Sequence, residues 1–173
     1  ARLLSCGSSH KWFRLMDKAG LLTSIFPEFE KQRSCAIVYY GKGGVLKHSL
    51  AVLERMEYLF ERMEKIFPEN AKKIRAAMPE KWLLKFTALL HDIAKPRTAK
   101  KIGGRLRFFG HEEKGAGMAE KTMRKLRFSR SQIRLAAHLI RHHLRIVNLA
   151  ANQEIVFNYH FIANFIISFF FNM

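Results

Sequence analysis

The stretch Leu89-Leu90-His91-Asp92-Ile93-Ala94-Lys95-Pro96 constrains the fold of this chain most. An apolar helix runs into a His-Asp pair, and Pro96, which lacks a backbone donor, stops it. Burying a carboxylate at the end of such a helix is costly unless the group is paired or bound to metal. A divalent cation is the most economical partner. The chain must then fold so that further ligands converge on this pair.

The remaining sequence reads as helices, which makes the expected fold all-α. From Val45 to Phe67, Leu46, Leu50, Leu53, Met56, Leu59, Phe60, Met63 and Phe67 recur at three- and four-residue steps. That is the pattern of one long amphipathic helix, with His48 in its first turns and Pro68 at its end. Ser8-Ser9 predicts the cap of a helix over about residues 10–18, stopped by Gly20. Leu21 to Phe29 reads as an apolar turn entering another helical turn, and residues 33–44, with Gly41, Gly43 and Gly44, as a loop. A short helix is expected over 70–78, after which Pro79 opens the helix Glu80–Ala94. Residues 99–109 change character and predict a small β-hairpin around Gly103-Gly104. His111 begins a helix to about Leu126. Ser129 or Ser131 caps the next, from Gln132 to Leu144 or beyond, which holds His138, His142 and His143.

Charge narrows the partners. The net charge is +17 and the pI about 10.3, which favours a polyanion: nucleic acid first, an acidic membrane surface second. The basic residues cluster, with fifteen Lys/Arg against three Glu between Lys95 and Arg145. Lys95, Arg97, Lys100, Lys101, Arg105 and Arg107 are the candidate phosphate contacts. Phe108 and Phe109 beside them suit either unstacked bases or the core, and the sequence leaves both readings open.

At 173 residues the chain is sized for one domain, or one and a piece. Cys6 and Cys35 form no CxxC and read as ordinary thiols of a reducing compartment, hence a cytoplasmic location. No signal-peptide pattern opens the chain, and its start at Ala1 predicts a fragment of a longer polypeptide. Residues 152–173 hold six of the fifteen Phe and a single charge, Glu154. Asn158, His160 and Asn164 interrupt the apolar run, so the tail reads as a buried helix or an exposed end rather than a membrane span. No membrane partner is expected.

Eight histidines accompany only two aspartates, Asp17 and Asp92. His10 and His160 read as structural, and His138, flanked by Leu135, Ala136 and Leu139, as a core histidine. His142 and His143 point about 100° apart on a helix, and at least one of them is expected at the metal. Imidazole and carboxylate donors together suit Mn, Fe, Ni, Zn or Mg.

These motifs carry a resemblance. The order His48 … His91-Asp92 resembles the HD superfamily of metal-dependent phosphohydrolases. Leu89 through Thr98, Gly104-Arg105, Phe108-Phe109-Gly110-His111-Glu112, Gly115-Ala116 and Leu126-Arg127-Phe128-Ser129 together resemble the HD region of bacterial tRNA nucleotidyltransferases and their poly(A)-polymerase relatives. Arg14 to Leu22 and Ile25-Phe26-Pro27-Glu28 resemble the connector that precedes that region. The resemblance implies an HD helical bundle over residues 36–151 after a helical connector over 1–35, with the Phe-rich tail beyond. It implies that His48, His91 and Asp92 hold one metal, and that Asp92 bridges to a second held by His111 with His142 or His143. Asp92 and Lys95 would carry the catalysis, Lys95 by meeting phosphate charge.

The expected substrates are phosphomonoesters or 2′,3′-cyclic phosphates at tRNA-like RNA ends, or a nucleotide phosphate. The nucleotidyltransferase head motifs are absent, so the chain is not expected to add nucleotides by itself. The family usually closes its metal site with an Asp on a later helix, and no Asp follows Asp92 here. The rival expectation is an RNA-binding body with the HD fold and little catalysis. A third is a regulatory nucleotide-binding module.

Overall fold

Apolar repeats at helical spacing, interrupted by glycine and proline, yield short helical turns packed among a few longer helices. The computed structural model describes residues 2–78 and 80–145, so the tail, His160 and the role of Pro79 lie outside the described residues. The elements are α1 (Arg2–Ser5), α2 (Ser9–Lys18), α3 (Leu21–Ile25), a 3₁₀ turn (Pro27–Phe29), α4 (Glu30–Ser34), α5 (Ile37–Tyr40), α6 (Gly44–Glu61), α7 (Met63–Ile66), α8 (Ala71–Ala77), α9 (Lys81–Leu90), α10 (Lys95–Thr98), β1 (Lys100–Ile102), β2 (Arg105–Arg107), α11 (His111–Lys125) and α12 (Arg130–His142). The fold is all-α with one small antiparallel hairpin, paired Lys100↔Arg107, Lys101↔Leu106 and Ile102↔Arg105.

Helices α6 and α9 form the centre. Leu46, Leu50 and Leu53 meet Leu83, Phe86, Leu89 and Leu90. Leu4, Phe13, Leu22, Phe26 and Phe29 cover this core from the N-terminal segments, and Ala116, Ala119, Met123, Ile133, Ala136 and Ile140 from α11 and α12. Burying each large apolar side chain contributes roughly 1.5–3 kcal/mol. The far end of α6 joins a second cluster with Met63, Ala71, Ile74, Leu84, Ala88 and Leu139. Cys6 and Cys35 are free thiols. Among the described residues no helix is long and apolar enough to cross a membrane.

The boundaries differ from the sequence pattern in four places. The long helix expected over Val45–Phe67 breaks at Arg62, whose φ of −114° lies outside helical space. The break redirects Met63 into the second cluster, where it is fully buried. The expected loop over 33–44 contains the turn α5. The helix expected to reach Ala94 ends at Leu90, and residues 91–94 form tight turns closed by Ile93 N–H to Leu90 O and Lys95 N–H to Asp92 O. In a continuing helix His91 and Asp92 would point about 100° apart; the turns bury both. Pro96 therefore does not stop that helix but sits in the first turn of α10, where its missing donor costs nothing.

Capping splits the same way. Ser129 makes a full capping box with Gln132 at the start of α12. Ser8 precedes α2 but its side chain makes no capping bond. The Glu57 carboxylate, reaching over from α6, accepts the backbone N–H groups of Ser9 and His10 at 2.9 and 3.2 Å instead.

Candidate metal centre

The tight turns after α9 place Asp92 at full burial, with His91 only 1% exposed. Around this carboxylate the fold gathers four imidazoles. His48 comes from the second turn of α6, with its Nε2 3.5 Å from Asp92 Oδ2. His91 Nε2 lies 3.1 Å from the same oxygen. His111, at the start of α11, puts Nε2 3.3 Å from Oδ1, and His143, just past α12, puts Nε2 3.8 Å from it. Gly115 admits α11 to this spot, because a Cβ there would lie 3.4 Å from the His91 carbonyl oxygen.

Three of the rings are set by one device. The Nδ1 atoms of His91, His111 and His143 lie 2.7, 2.7 and 2.6 Å from the carbonyl oxygens of Ala88, Phe108 and Ile140, each three residues back. A carbonyl only accepts, so Nδ1 carries the proton and, in the neutral ring, Nε2 is left as a lone pair aimed at Asp92. Metal-ligating histidines are oriented by such bonds from the other ring nitrogen. Burial, reinforced by His91, pushes His48 down to about 3, and burial pushes His143 down to about 3, so both rings are neutral near pH 7.

Lone pairs thus face a carboxylate. Burial alone would raise the Asp92 carboxyl, but positive charge beside it, from the His91 ring when protonated and from the Lys95 ammonium, outweighs burial and holds the group well below the usual range. Lys95 Nζ stands 2.6 Å from Oδ2, yet neither Asp92 oxygen nor His48 Nε2 has a well-formed hydrogen bond among the described residues. Acceptors converging on an ionised acceptor are a poor arrangement without a cation between them. The donor atoms of His48, His91 and Asp92 lie within 4.8 Å of one another, as do those of Asp92, His111 and His143. Each of these two groups could hold a divalent metal ion, and Asp92 is common to both.

Residues 45–157 match the family model described as HD domain. The chain belongs to the HD domain family. Ahead of that region, residues 1–33 match the model described as probable RNA and SrmB-binding site of polymerase A. The chain is also 32% identical over 146 residues to the CC-adding tRNA nucleotidyltransferase of Thermus thermophilus. That match covers 83% of this chain but 30% of the relative. The two matched regions and this relative uphold the resemblance to the HD region of tRNA nucleotidyltransferases.

Within this HD domain the remaining candidates are distributed unevenly. His142 stays outside the Asp92 group: it faces out from α12 and packs its ring 4.5 Å from that of His138. His138, expected in the core, is exposed, because α12 turns Ala136, Ala137, Leu139 and Ile140 inward instead. Lys95, Arg105 and Arg107 line an open cleft of about 740 Å³ that leads to His111. Arg97 sits elsewhere, near Pro27 and Met118, while Lys100 and Lys101 are exposed on β1 outside the cleft lining.

Tyr40 escaped the sequence reading. Its ring stacks on His48 at 4.5 Å, and its hydroxyl accepts from Lys95 Nζ at 2.7 Å. Burial raises the Tyr40 hydroxyl above its ordinary value. Burial would lower Lys95, but Asp92 and Tyr40 together raise it, so the ammonium stays charged. Only an aromatic pair in a glycine-rich stretch hinted at Tyr40; the chain reversal at Gly41–Gly44 brings it to the site.

Proposed function

We propose that this HD domain is a metal-dependent phosphohydrolase acting on phosphomonoesters or 2′,3′-cyclic phosphates at RNA ends. The convergence of four imidazoles on the buried Asp92 carries this reading. His48, His91 and Asp92 would hold one divalent ion, and Asp92, His111 and His143 would hold a second. Such ions supply Lewis acidity, making water nucleophilic near neutral pH and neutralising phosphate charge. Four imidazoles to one carboxylate favour Fe, Ni or Zn over Mg.

The chain's own residues do the rest. Asp92 fixes the position of both halves of the site. Lys95, charged and tethered between Asp92 and Tyr40, meets a phosphate oxygen where the cleft reaches the cluster. Tyr40 keeps that ammonium aimed and covers His48 from solvent. Arg105 and Arg107 extend the positive potential along the cleft. The test is hydrolysis of p-nitrophenyl phosphate and its bis ester by purified protein with Mn, Ni or Mg, alongside elemental analysis. Turnover with bound metal is expected; no activity with any metal and no metal retained would sink the proposal.

A second reading is an RNA-binding body, supported by the match of residues 1–33 and by the basic stretch from Lys95 to Arg145. It predicts RNA affinity that falls steeply with salt and survives His91→Ala.

A further inference from the structure

The mouth of the cleft carries aromatic surface that the metal cluster does not use. Phe109 is 76% exposed and Tyr39 52% exposed. Exposed aromatic surface concentrated at one place marks a binding site. Tyr39 and the neighbouring Phe108 are also held in place. The Tyr39 hydroxyl donates to the Leu106 carbonyl of β2 at 2.9 Å, and its ring meets Phe108 edge-on at 6.5 Å. Phe108 in turn covers the Lys95 ammonium at 5.5 Å. The rim is therefore tied to the hairpin on one side and to the Asp92 cluster on the other.

Its charge is one-sided. Between Asp92 and Glu112 the sequence holds six cations and no acid. Lys100 stands directly opposite Arg107 across the hairpin. Like charges facing each other across a sheet destabilise it, and an anion held against them relieves that cost. Glu112 lines the cleft at its inner end, so the anion's place is the Arg105–Arg107 side. Aromatic faces set among cations suit an unstacked base and its phosphates. A duplex offers a free base face only on its terminal pairs, where the base stays bound to its partner and cannot enter the cleft singly, and an apolar peptide would leave these cations without counter-charge. At about 740 Å³ the cleft falls within the roughly 300–1,000 Å³ of small-ligand sites.

We infer that this rim receives the unpaired terminal nucleotide of an RNA strand, with its base on Phe109 and Tyr39. The preceding phosphate lies by Arg105 and Arg107, and the terminal phosphate reaches Lys95. The inference rests on the hydrolase reading, for which it names the substrate: a single-stranded end rather than any phosphate ester. Tyr39 and Phe109 thereby become specificity residues, and neither touches the Asp92 cluster.

The test is binding without turnover. A 3′-phosphorylated hexaribonucleotide with 2-aminopurine at its 3′ end is titrated with the whole chain in EDTA. Stacking quenches the fluorophore, and the blunt-ended duplex of the same sequence is expected to show no quench. Phe109→Ala should weaken single-strand binding about ten-fold and lift the quench, Tyr39→Ala should do likewise, and Phe109→Trp should restore both. Phe109 is exposed, so the two Phe109 variants should melt with the wild type. Unchanged affinity and quench in both alanine variants would overturn the inference, as would equal quenching by the duplex. So would a Phe109→Ala effect confined to self-association in sedimentation, which would make the rim a protein contact. The hydrolase reading is checked separately, with wild-type protein and p-nitrophenyl phosphate, which has no base. Failure there leaves the EDTA titration intact, and failure of the titration leaves that hydrolysis standing.

Discussion

Outside the metal cluster, Glu57 is a buried carboxylate whose removal is costly. It is 3% exposed and accepts from the backbone of Ser9 and His10, from the Ser9 hydroxyl and the His10 ring, and from Lys85 Nζ at 2.6 Å. Lys85 is 5% exposed, and its other close partner is the Cys6 carbonyl at 2.7 Å. Glu57→Gln removes the charge but keeps the shape. It leaves a buried ammonium without counter-charge, for which ~3–5 kcal/mol is the usual cost of breaking a buried pair. The amide retains one acceptor oxygen for the first turn of α2, so roughly 1 kcal/mol of capping survives. The expected loss is therefore about 3 kcal/mol, or about 6–12 °C in Tm for a chain of this size. Replacing both partners, Glu57→Gln with Lys85→Met, should recover about 2 kcal/mol, because no buried charge remains.

The assay is urea unfolding followed by far-UV circular dichroism at pH 7 in EDTA, for wild type, both single variants and the double variant. pH adds an independent check. Burial would raise the Glu57 carboxyl, but bonds from Lys85, Ser9 and His10 outweigh it and hold it below its ordinary 4.5. The folded state thus binds fewer protons than the unfolded one. This contribution is present above about pH 4.5 and is lost as pH falls toward the folded value. The wild-type advantage over Glu57→Gln should shrink accordingly below pH 4.5. A single variant within about 1 kcal/mol of wild type, or a double variant as unstable as the sum of the singles, would refute the reasoning.

His143→Ala should release bound Mn or Ni in calorimetric titration, whereas His142→Ala should bind as wild type; equal loss in both would contradict the grouping around Asp92. Tyr40→Phe removes a hydrogen bond to a charged group, worth roughly 1.5–3 kcal/mol, so phosphatase kcat/KM should fall at least about ten-fold in steady-state kinetics. Gly44→Ala should cost several kcal/mol in urea unfolding, since φ is +53° and a Cβ would strike the carbonyl oxygens of Gln32, Arg33 and Cys35. In metal-free protein, unfolded imidazoles take up protons below pH 6.5, while folded His48 and His143 resist until about 3. Stability measured by thermal melts should therefore decline as pH falls from 6.5 toward 3.

Much of the architecture was legible in the sequence because helix periodicity and turn chemistry are local. The hairpin at Gly103-Gly104, a serine cap at Ser129 or Ser131 and the apolar faces of α6 and α9 all follow from local patterns. The grouping around Asp92 was accessible only as a set of candidates. A helix places His142 and His143 about 100° apart, but which one faces inward depends on how α12 packs on α9 and α11. The break at Arg62 and the end of α9 at Leu90 likewise follow from where the core needs Met63 and Asp92. Glu57 capping α2 from another helix leaves no trace in local sequence.

Residue pattern and composition are enough to make this chain helical and basic and to bury a His-Asp pair at the end of an apolar helix. That His143 rather than His142 joins the pair, that Tyr40 tethers Lys95 and that Phe109 stands exposed at the cleft follow from the packing of the folded chain. Periodicity fixes which residues share a face; only the packing of one helix on another fixes which face looks inward.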